Sequence, residues 1–347
     1  MITSEQNVLT ITNLRKRFDL EAGFFARFGK FVHAVNGVSF SIGRNETYGL
    51  VGESGCGKST TAKLLVRMFG ASGGEITFRD PVTGENINVR KIKGEALRRY
   101  REKVRYVFQD PAKSLNPRMN VYDVLTHGAK YSTNKRPDDE LRVEAAKILE
   151  EVGLSAKDLE RRPTEFSGGQ RQRISIARGL LQKPNVLICD EVVSALDVSI
   201  QGQILNLLLD LRNARKSGGQ EISYLFIAHN LRVACYFCDR IGVMYRGEIM
   251  EEAGADEIWR QDSGKSHPYT ELLFSSVQSG DPDAAAPKVF TGEVKSVKSE
   301  TAEIGDNGCA FAHRCPYAVE QCYRENPPLK DIKQDGSAGH RVRCWLR

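Results

Sequence analysis

The order of apolar and polar positions along the chain predicts alternating strands and helices. Residues 8–13 alternate between the two kinds of side chain, as expected for a half-buried strand. Residues 32–52 contain two more apolar blocks on either side of a turn, which predicts two further strands. The next apolar positions recur at helical spacing and predict a helix that ends at Gly70.

The later part of the chain continues this alternation around a helical insertion. Residues 73–90 predict a small hairpin, and residues 93–110 predict a basic helix followed by a strand. Residues 111–165 are mostly helical in pattern, and helix and strand then alternate from 166 to 253. Such alternation predicts an α/β fold with a mostly parallel sheet and helices on both faces. Residues 278–306, with two prolines and few large apolar side chains, predict a loosely ordered linker.

The composition is that of a soluble globular protein with one large domain and appendages. Of the 347 residues, 40% are hydrophobic and 27% are charged. The chain has no apolar run long enough to span a bilayer and no signal-peptide pattern at its N-terminus, so we expect a cytosolic or peripheral protein. The net charge of +6 is compatible with a nucleotide, an anionic lipid or a nucleic acid, and does not select among them.

A glycine-rich loop between a predicted strand and a predicted helix indicates a phosphate site. Residues 52–60, GESGCGKST, satisfy the pattern G-x-x-x-x-G-K-[ST] and follow a short apolar run. Backbone N–H groups of such a loop surround phosphate oxygens, and the following helix directs its positive end at them. Lys58 would neutralise phosphate oxygens and Ser59 would bind Mg²⁺. The alternative interpretation is a simple tight turn.

Polar residues at the ends of three other predicted strands complete a hydrolytic site. Asp190 and Glu191 follow a buried apolar run, and are the candidates for the magnesium carboxylate and the general base. Gln109 and His229 each end another apolar strand. Because the carboxyl ends of parallel strands converge on the ligand crevice, both side chains are expected to face the γ-phosphate. Taken singly, each residue could equally be structural.

The complete set of motifs resembles that of an ABC-type ATPase subunit, over about residues 5 to 255. The motifs are GESGCGKST, VFQDP, FSGGQRQRISIARGL, VLICDE, SALD and FIAHN. The resemblance implies a P-loop fold with a mostly parallel core sheet, an antiparallel β subdomain and a helical subdomain at about 111–165. It also implies an ATP-binding Walker A motif formed by Gly52, Glu53, Ser54, Gly55, Cys56, Gly57, Lys58, Ser59 and Thr60.

The same resemblance assigns the remaining residues of the nucleotide site. Mg²⁺ would be held by Ser59, Gln109 and Asp190. Glu191, Gln109 and His229 would be catalytic. Phe18 would stack on adenine, with Phe31 as a weaker competitor for that role. Phe166 replaces the more usual leucine before the signature, and Cys189 replaces a small or aliphatic residue; both are apolar and are expected to be tolerated. Because every catalytic position matches, we expect ATP hydrolysis.

A second glycine-rich loop opens another predicted helix, and the resemblance gives it a role in trans. Ser167, Gly168, Gly169 and Gln170, with Asp197 of the D-loop, would contact ATP held by a partner ATPase. A serine and backbone donors at a helix N-terminus form an anion site, so two chains placed head to tail would complete each other's sites. The expected consequence is ATP-dependent dimerisation.

Further segments of the sequence indicate the kind of transporter to which such an ATPase subunit would belong. The segments DPAKSLNPRMNVYDVL and HPYTELL resemble the ATPases of bacterial oligopeptide, dipeptide and nickel importers. This implies a second ATPase, two transmembrane permease subunits, an extracytoplasmic solute-binding protein reached through the permease, and a position on the cytoplasmic face of the inner membrane. A permease helix would lie in a groove whose candidate lining is Leu115, Pro117, Met119 and Tyr122; ordinary packing is the alternative for these four.

Four of the eight cysteines lie near the C-terminus. Without an export signal, such a cluster suggests a metal before a disulfide, although the spacing is wider than that of most zinc sites. The resemblance to importer ATPases implies that Cys309, Cys315, Cys322 and Cys344 ligate a [4Fe-4S] cluster; Zn²⁺ and free thiols are the alternatives. Cys235 and Cys238 form a C-x2-C pair that we interpret as helix packing.

We therefore predict an ATPase domain at 1–260 and a C-terminal extension at 261–347, with its cysteine-rich module at 307–347. The predicted function is the ATP-hydrolysing subunit of a di- or oligopeptide importer. Importers of nickel chelates, opines or sugars are alternatives. A soluble ABC ATPase acting on nucleic acid or ribosomes is another, but the chain lacks a second cassette or a long coiled coil, so no nucleic-acid partner is expected. A redox-sensing protein in which the cysteine tail gates ATP use is a further alternative, and it is compatible with transport.

Overall fold

The computed structural model describes residues 6–19, 31–133, 135–260, 265–276, 308–332 and 339–347. Its strands are β1 (Asn7–Asp19), β2 (Phe31–Gly43), β3 (Thr47–Val51), β4 (Gly73–Arg79), β5 (Asn86–Asn88), β6 (Val104–Val107), β7 (Val186–Asp190), β8 (Ser223–Ala228), β9 (Arg240–Tyr245), β10 (Glu248–Gly254), β11 (Lys330–Asp331) and β12 (Arg341–Val342). Its α-helices are α1 (Lys58–Leu65), α2 (Gly94–Lys103), α3 (Pro111–Ser114), α4 (Val121–Lys130), α5 (Asp138–Glu151), α6 (Gly168–Leu180), α7 (Val198–Ser217), α8 (Leu231–Phe237), α9 (Ala255–Arg260), α10 (Pro268–Ser276) and α11 (Glu320–Arg324).

An eight-stranded sheet forms the centre of the fold, in the order β11-β12-β10-β9-β3-β8-β7-β6. The five strands from β9 to β6 run parallel to one another, which confirms the predicted mostly parallel sheet. Every residue of β3, β7 and β8 is buried, because helices cover both faces. The residues that follow these strands therefore emerge together at one edge.

A four-stranded antiparallel sheet, in the order β2-β1-β4-β5, confirms the predicted antiparallel subdomain. Leu9 and Ile42 belong to the same buried cluster as Leu50 of β3 and Leu65 of α1. The shared apolar core holds this sheet against the strand that precedes the glycine-rich loop.

The predicted helical region contains α3, α4 and α5 together with two short 3-10 helices, Ala156–Glu160 and Pro163–Glu165. Val124 of α4, Leu149 of α5 and Ile174 of α6 lie in one buried cluster. This packing fixes the N-terminus of α6 relative to the core sheet.

One predicted helix end is wrong: α1 ends at Leu65 rather than at Gly70. Arg67 has a φ of 59°, which reverses the chain, and the N–H of Met68 donates to the carbonyl of Lys63 at 2.9 Å. The N–H of Arg67 donates to Leu64 at 3.0 Å, so the two bonds form a Schellman motif. The Arg67 guanidinium also donates to the carbonyl of Ile92 at 3.2 Å. A tertiary contact thus supports a left-handed residue that the apolar spacing did not reveal.

The chain after residue 260 adds strands to the core sheet. In β12, Arg341 and Val342 pair with Glu252 and Glu251 of β10, and β11 pairs with β12. The predicted linker at 278–306 lies outside the described residues. Within the ranges given above, none of the helices is long and apolar enough to cross a membrane.

Candidate active site

The first glycine-rich loop, residues 52–60 and hereafter the phosphate loop, connects β3 to α1. Gly57 has a φ of 109°, and a Cβ placed on it would lie 2.2 Å from the carbonyl oxygen of Ala34. Only glycine fits at this point of the loop, because any side chain would collide with the backbone of β2.

Lys58, at the start of α1, is only 4% exposed although it carries a charge. Its Nζ donates to the carbonyl oxygens of Gly52 at 2.7 Å and Glu53 at 2.8 Å. These bonds hold the ammonium group at the mouth of the loop, since a buried cation requires acceptors. The arrangement suits an anion bound directly above the loop.

Asp190, at the end of β7, lies beside the phosphate loop. The hydroxyl of Ser59 donates to Oδ1 of Asp190 at 2.9 Å, and the hydroxyl of Tyr106 donates to the other carboxylate oxygen. Burial and the adjacent Asp190 charge raise the pKa of Tyr106 well above its usual value, so this phenol keeps its proton. Carboxylate and hydroxyl oxygens are ligands that Mg²⁺ prefers, and the donor set therefore fits that ion.

Three strand ends bring Gln109, Glu191 and His229 together. Nε2 of Gln109 donates to Oε2 of Glu191 at 2.8 Å, and Nδ1 of His229 lies 3.7 Å from the same oxygen. Glu191 has a φ of 48°, a left-handed conformation that is rare for glutamate. Gln109 and His229, two of the three residues expected to be catalytic, therefore both lie beside the same carboxylate oxygen of the third, Glu191.

The two aromatic candidates for adenine lie at the same end of the β1–β2 hairpin. Phe18 pairs with Val32, and Asp19 pairs with Phe31. Phe18 is half-buried, its ring 5.6 Å from that of Phe69, whereas Phe31 is exposed. Successive residues of a strand face opposite sides, so the two rings project from opposite faces of the hairpin, and Phe31 packs against His33 and Arg17 instead. Which ring stacks on adenine stays a prediction.

The second glycine-rich loop, Ser167 to Gln170 and hereafter the signature element, begins α6. Oγ of Ser167 accepts from the N–H of Gln170 at 3.3 Å, and Oε1 of Gln170 accepts from the N–H of Ser167 at 3.0 Å. This capping box is exposed, and in the described part of the chain neither residue bonds to the phosphate loop.

Asp197 lies close to the signature element. It is exposed at the N-terminus of α7, without a side-chain capping bond. The nearest atom to a Cβ on Gly168 would be Cδ2 of Leu196, at 3.9 Å. Asp197 and the signature element thus form one surface, separate from the hydrogen bonds of the phosphate loop.

The four C-terminal cysteines are brought together, and none of the four forms a disulfide. Burial, with smaller contributions from the nearby Cys322, Cys315 and Cys344, raises the pKa of Cys309 to about 11. The N–H of Cys309 donates to the carbonyl of Cys322 at 2.7 Å. Across the residues that the structure describes, however, no group of three or more His, Cys, Asp or Glu side chains is arranged to hold a metal ion.

Hydrogen bonds to the cysteine sulfurs bear on whether these cysteines could bind a metal as thiolates. The N–H groups of Phe311 and Tyr317 bond to the sulfurs of Cys309 and Cys315. The N–H of Leu346 donates to the sulfur of Cys344 at 3.4 Å. Each donor lies two residues after its cysteine. Such bonds stabilise thiolates, and the donor set therefore fits a thiolate-ligated metal centre in its chemistry.

Five further residues test minor predictions. Leu115 and Tyr122 are buried in the core, so their predicted place in a permease groove was wrong. Pro117 is exposed and Met119 is partly exposed. Cys238 is buried with its sulfur against Gly49, consistent with helix packing.

The predicted site lacked residues that the structure places in it. Tyr106 bonds Asp190 from the neighbouring strand β6, and its signal was its place three residues before Gln109. Tyr269 and Arg314 contact Glu53 from the C-terminal extension, more than two hundred residues away in sequence. No local pattern marks those two residues.

Comparison with known proteins gives the same family that the sequence motifs predicted. Residues 35–194 match the family described as ABC transporter, and residues 250–322 match the family described as oligopeptide/dipeptide transporter, C-terminal region. A probable peptide ABC transporter ATP-binding protein of Sinorhizobium fredii is 40% identical over 98% of this chain and 90% of that protein. The oligopeptide transport ATP-binding protein AppF of Bacillus subtilis is 38% identical over 99% of this chain and 98% of that protein. OppF of the same organism is 43% identical over 80% and 85%.

Solved structures share the fold. A component of the ABC transporter complex cbiONQ from Clostridium perfringens aligns with a TM-score of 0.60 and 25% identity, covering 74% of this chain and 92% of that one. A dimeric bacterial ABC transporter cassette aligns with a TM-score of 0.59 at 24% identity, over 71% and 98%.

The sheet, the phosphate loop at its strand ends and the adjoining carboxylates define a P-loop ATPase of the ATP-binding-cassette type. The two family matches, and the sequence identity to relatives over nearly the whole chain, identify a narrower group within this class of ATPases. The chain belongs to the ABC transporter family, as an ATP-binding subunit of the oligopeptide/dipeptide group.

Proposed function

We propose that this chain hydrolyses ATP to drive the import of di- and oligopeptides. The observation that carries the ATPase proposal is the shared oxygen of Glu191, which Gln109 and His229 approach from neighbouring strand ends. Peptide import is supported by the relatives, which are named as peptide or oligopeptide transport proteins. Those names favour peptides over nickel chelates, opines and sugars.

The proposed nucleotide site uses the residues of the phosphate loop and of three strand ends. Backbone N–H groups of the loop and Lys58 bind the phosphates, and Phe18 stacks on adenine. Ser59, Gln109 and Asp190 would hold Mg²⁺, which when bound neutralises charge on the β- and γ-phosphates. Tyr106 supports Asp190 through its hydroxyl.

Glu191 carries the proton-transfer step. Its carboxylate accepts a proton from the water that attacks the γ-phosphorus, and Gln109 and His229 fix the position of that carboxylate and of the water. Its left-handed backbone directs the side chain away from β7 toward these partners.

The signature element and Asp197 are proposed to bind ATP held by a second ATPase subunit. Ser167, Gly168, Gly169 and Gln170 lie at a helix N-terminus, where N–H groups and the helix dipole favour an anion. The exposure of Ser167 and Gln170, and the separation of all four residues from the hydrogen bonds of the phosphate loop, support a site completed by another chain. Identical and merely related partners satisfy this geometry equally.

The remaining partners follow from the function. Two transmembrane permease subunits would form the path, and an extracytoplasmic binding protein would deliver the peptide to them. The chain would lie peripherally on the cytoplasmic face of the inner membrane. Exposed Pro117 and partly exposed Met119 are the remaining candidates from the predicted groove for contact with a permease.

For the cysteines we propose a [4Fe-4S] cluster ligated by Cys309, Cys315, Cys322 and Cys344, with Zn²⁺ as the alternative occupant. Their mutual proximity and the N–H bonds to three sulfurs support thiolate ligation. Protein purified without oxygen is expected to be brown and to contain iron. A colourless protein with one zinc per chain would contradict the cluster, and absence of both metals would contradict any metal centre.

The ATPase proposal is tested by Glu191→Gln. Loss of the base should lower kcat by about 100-fold or more, while ATP binding is retained. Trapped ATP and tighter association of ATPase subunits should follow, measured by single-turnover hydrolysis and light scattering. Glu320→Gln is the control, because Glu320 is exposed and, within the described ranges, forms its ion pair with Arg324 on α11. Equal turnover in the two variants would contradict the assignment of Glu191.

A further inference from the structure

Glu53, the second residue of the phosphate loop, is held at three points. Its N–H donates to the hydroxyl of Tyr269 at 2.9 Å. Its carboxylate receives both terminal nitrogens of Arg314, at 2.7 and 2.9 Å. Its carbonyl accepts from Lys58 Nζ at 2.8 Å. Two of these three contacts come from the C-terminal extension, and the third reaches the cation that faces the phosphates.

Aromatic rings hold the Arg314 side chain in the orientation in which it bonds to Glu53. Its guanidinium lies 5.6 Å from the ring centre of Tyr245 and 5.8 Å from that of Phe311. The centres of these two rings are 5.3 Å apart, and the Tyr269 ring is tilted against the Tyr245 ring, with their centres 4.7 Å apart. A planar guanidinium above aromatic faces keeps its fork in one direction, so the bidentate bond to Glu53 needs little further ordering.

The part of the extension that carries Arg314 is itself fixed to the core sheet. His340 bonds Oε1 of Glu251 at 2.7 Å, and both side chains are buried. Asn326 donates to Glu248 at 3.0 Å. Arg314 lies in the 3-10 helix Ala312–Arg314, between two of the clustered cysteines. The folded extension therefore presents Arg314 to the phosphate loop from a rigid support.

The position of Glu53 affects the orientation of Lys58. The carbonyls of Gly52 and Glu53 are the two oxygen acceptors of Lys58 Nζ, so a shift of Glu53 moves one of the groups that direct the ammonium. A displacement of about an ångström in a positioned group is enough to change ligand binding or rate by orders of magnitude. Contacts made by the extension thus reach the nucleotide through a single residue.

We propose that Arg314, assisted by Tyr269, is a positioning residue for the phosphate loop, so that ATP affinity depends on the docking of the described part of the cysteine-rich module, residues 308–332 and 339–347. Arg314 acts through Glu53 and Lys58 and does not itself contact nucleotide. The proposal rests on the ATPase function above and adds a second part of the chain to it.

The test is Arg314→Ala in the full chain, with the affinity for MgATP measured by equilibrium binding and kcat and KM by phosphate release. Kd and KM should rise about 3- to 30-fold, since a half-exposed bidentate ion pair and the loop order that it maintains are lost. The kcat should stay at its original value, because Gln109, Glu191 and His229 are untouched. Arg314→Lys, which keeps the charge without the fork, should recover part of the affinity.

Arg324→Ala is the matched control, since Arg324 belongs to the same module but pairs on the surface with Glu320. Tyr269→Phe removes only the hydroxyl and should also raise Kd. Combining Arg314→Ala with Glu53→Gln should cost no more affinity than the larger single effect. Thermal unfolding identifies a variant that has lost its fold.

Unchanged MgATP affinity in folded Arg314→Ala and Tyr269→Phe would overturn the proposal. An equal loss in Arg324→Ala, or full additivity with Glu53→Gln, would also overturn it. A parent chain that does not hydrolyse ATP would instead refute the proposed function, so the two failures are distinguishable.

Discussion

The phosphate loop and the signature element both begin a helix with glycines, yet they differ in their relation to the rest of the chain. Lys58 of the first is buried, and Glu53 is tied to distant parts of the sequence. Ser167 and Gln170 of the second are exposed and bond each other. A helix N-terminus supplies anion-binding donors in both cases. Among the described residues, distant side chains bond to the phosphate loop, whereas Ser167 and Gln170 of the signature element bond to each other.

That difference explains how one chain has two anion-binding elements for one nucleotide. The phosphate loop lies beside the Lys58 ammonium and the Asp190 carboxylate, and Glu191 follows Asp190 in the chain. In the described residues, the signature element has its own donors and the nearby Asp197. Under the proposed function, the phosphate loop of one subunit and the signature element of another together form one complete site.

The largest expected contrast comes from placing alanine in each loop. In Gly57→Ala, the new Cβ would meet the backbone of Ala34 at a φ of 109°, and we expect a loss of about 2–4 kcal/mol in the free energy of unfolding. In Gly168→Ala, the nearest atom would be 3.9 Å away at a helix start, and the change should stay within about 0.5 kcal/mol. Urea unfolding followed by circular dichroism measures both. Equal losses would show that the two loops are equally constrained.

A smaller expected effect distinguishes the role of Ser167 as a helix cap from its proposed role in binding phosphate. Ser167 and Ser155 both begin a helix with a capping box, and both are exposed. Replacing either by alanine should cost about 1 kcal/mol of stability, through the lost cap. Only Ser167→Ala should also lower kcat, by about 10- to 100-fold, because a donor to the partner's phosphate is lost.

The measurements for these two variants are steady-state phosphate release and ATP-dependent association by size-exclusion chromatography with light scattering. ATP binding by the isolated subunit should be the same in both. If Ser155→Ala slowed turnover as much as Ser167→Ala, the signature element would be acting through stability alone.

The smallest effect concerns the support of the phosphate loop. Burial, together with the neighbouring Arg347 cation, lowers the pKa of His267 to about 3. Because the unfolded chain binds a proton near pH 6.5 and the folded chain does not, acidification favours unfolding. From about pH 7 to about pH 5.5, His267 should remove about 1 kcal/mol of stability.

His267→Asn is the variant that isolates this contribution. Nδ1 of His267 accepts from the N–H of Tyr269 at 3.0 Å, and an asparagine oxygen can accept in its place at the start of α10. Urea unfolding across the same pH range should show a shallower pH dependence for the variant. An unchanged slope would mean that His267 is protonated in the folded protein as well.

Local pattern was sufficient where chemistry and chain order coincide. The run from Gly52 to Ser59, and polar residues such as Asp190 after apolar strands, predicted a phosphate site because the carboxyl ends of parallel strands must meet. The predicted end of α1 failed, because the stop at Arg67 depends on a left-handed residue supported by Ile92. Leu115 was misjudged, since apolar spacing does not distinguish a groove from a core.

The sequence by itself determined the class of fold, the order of its elements and the reacting groups, because glycine patterns and strand periodicity are properties of neighbouring residues. Only the tertiary structure decided that Tyr106 supports Asp190 and that Tyr269 and Arg314 hold Glu53. Those contacts join residues up to 261 positions apart. Their formation depends on how strands pair and layers pack, which no short stretch of sequence encodes.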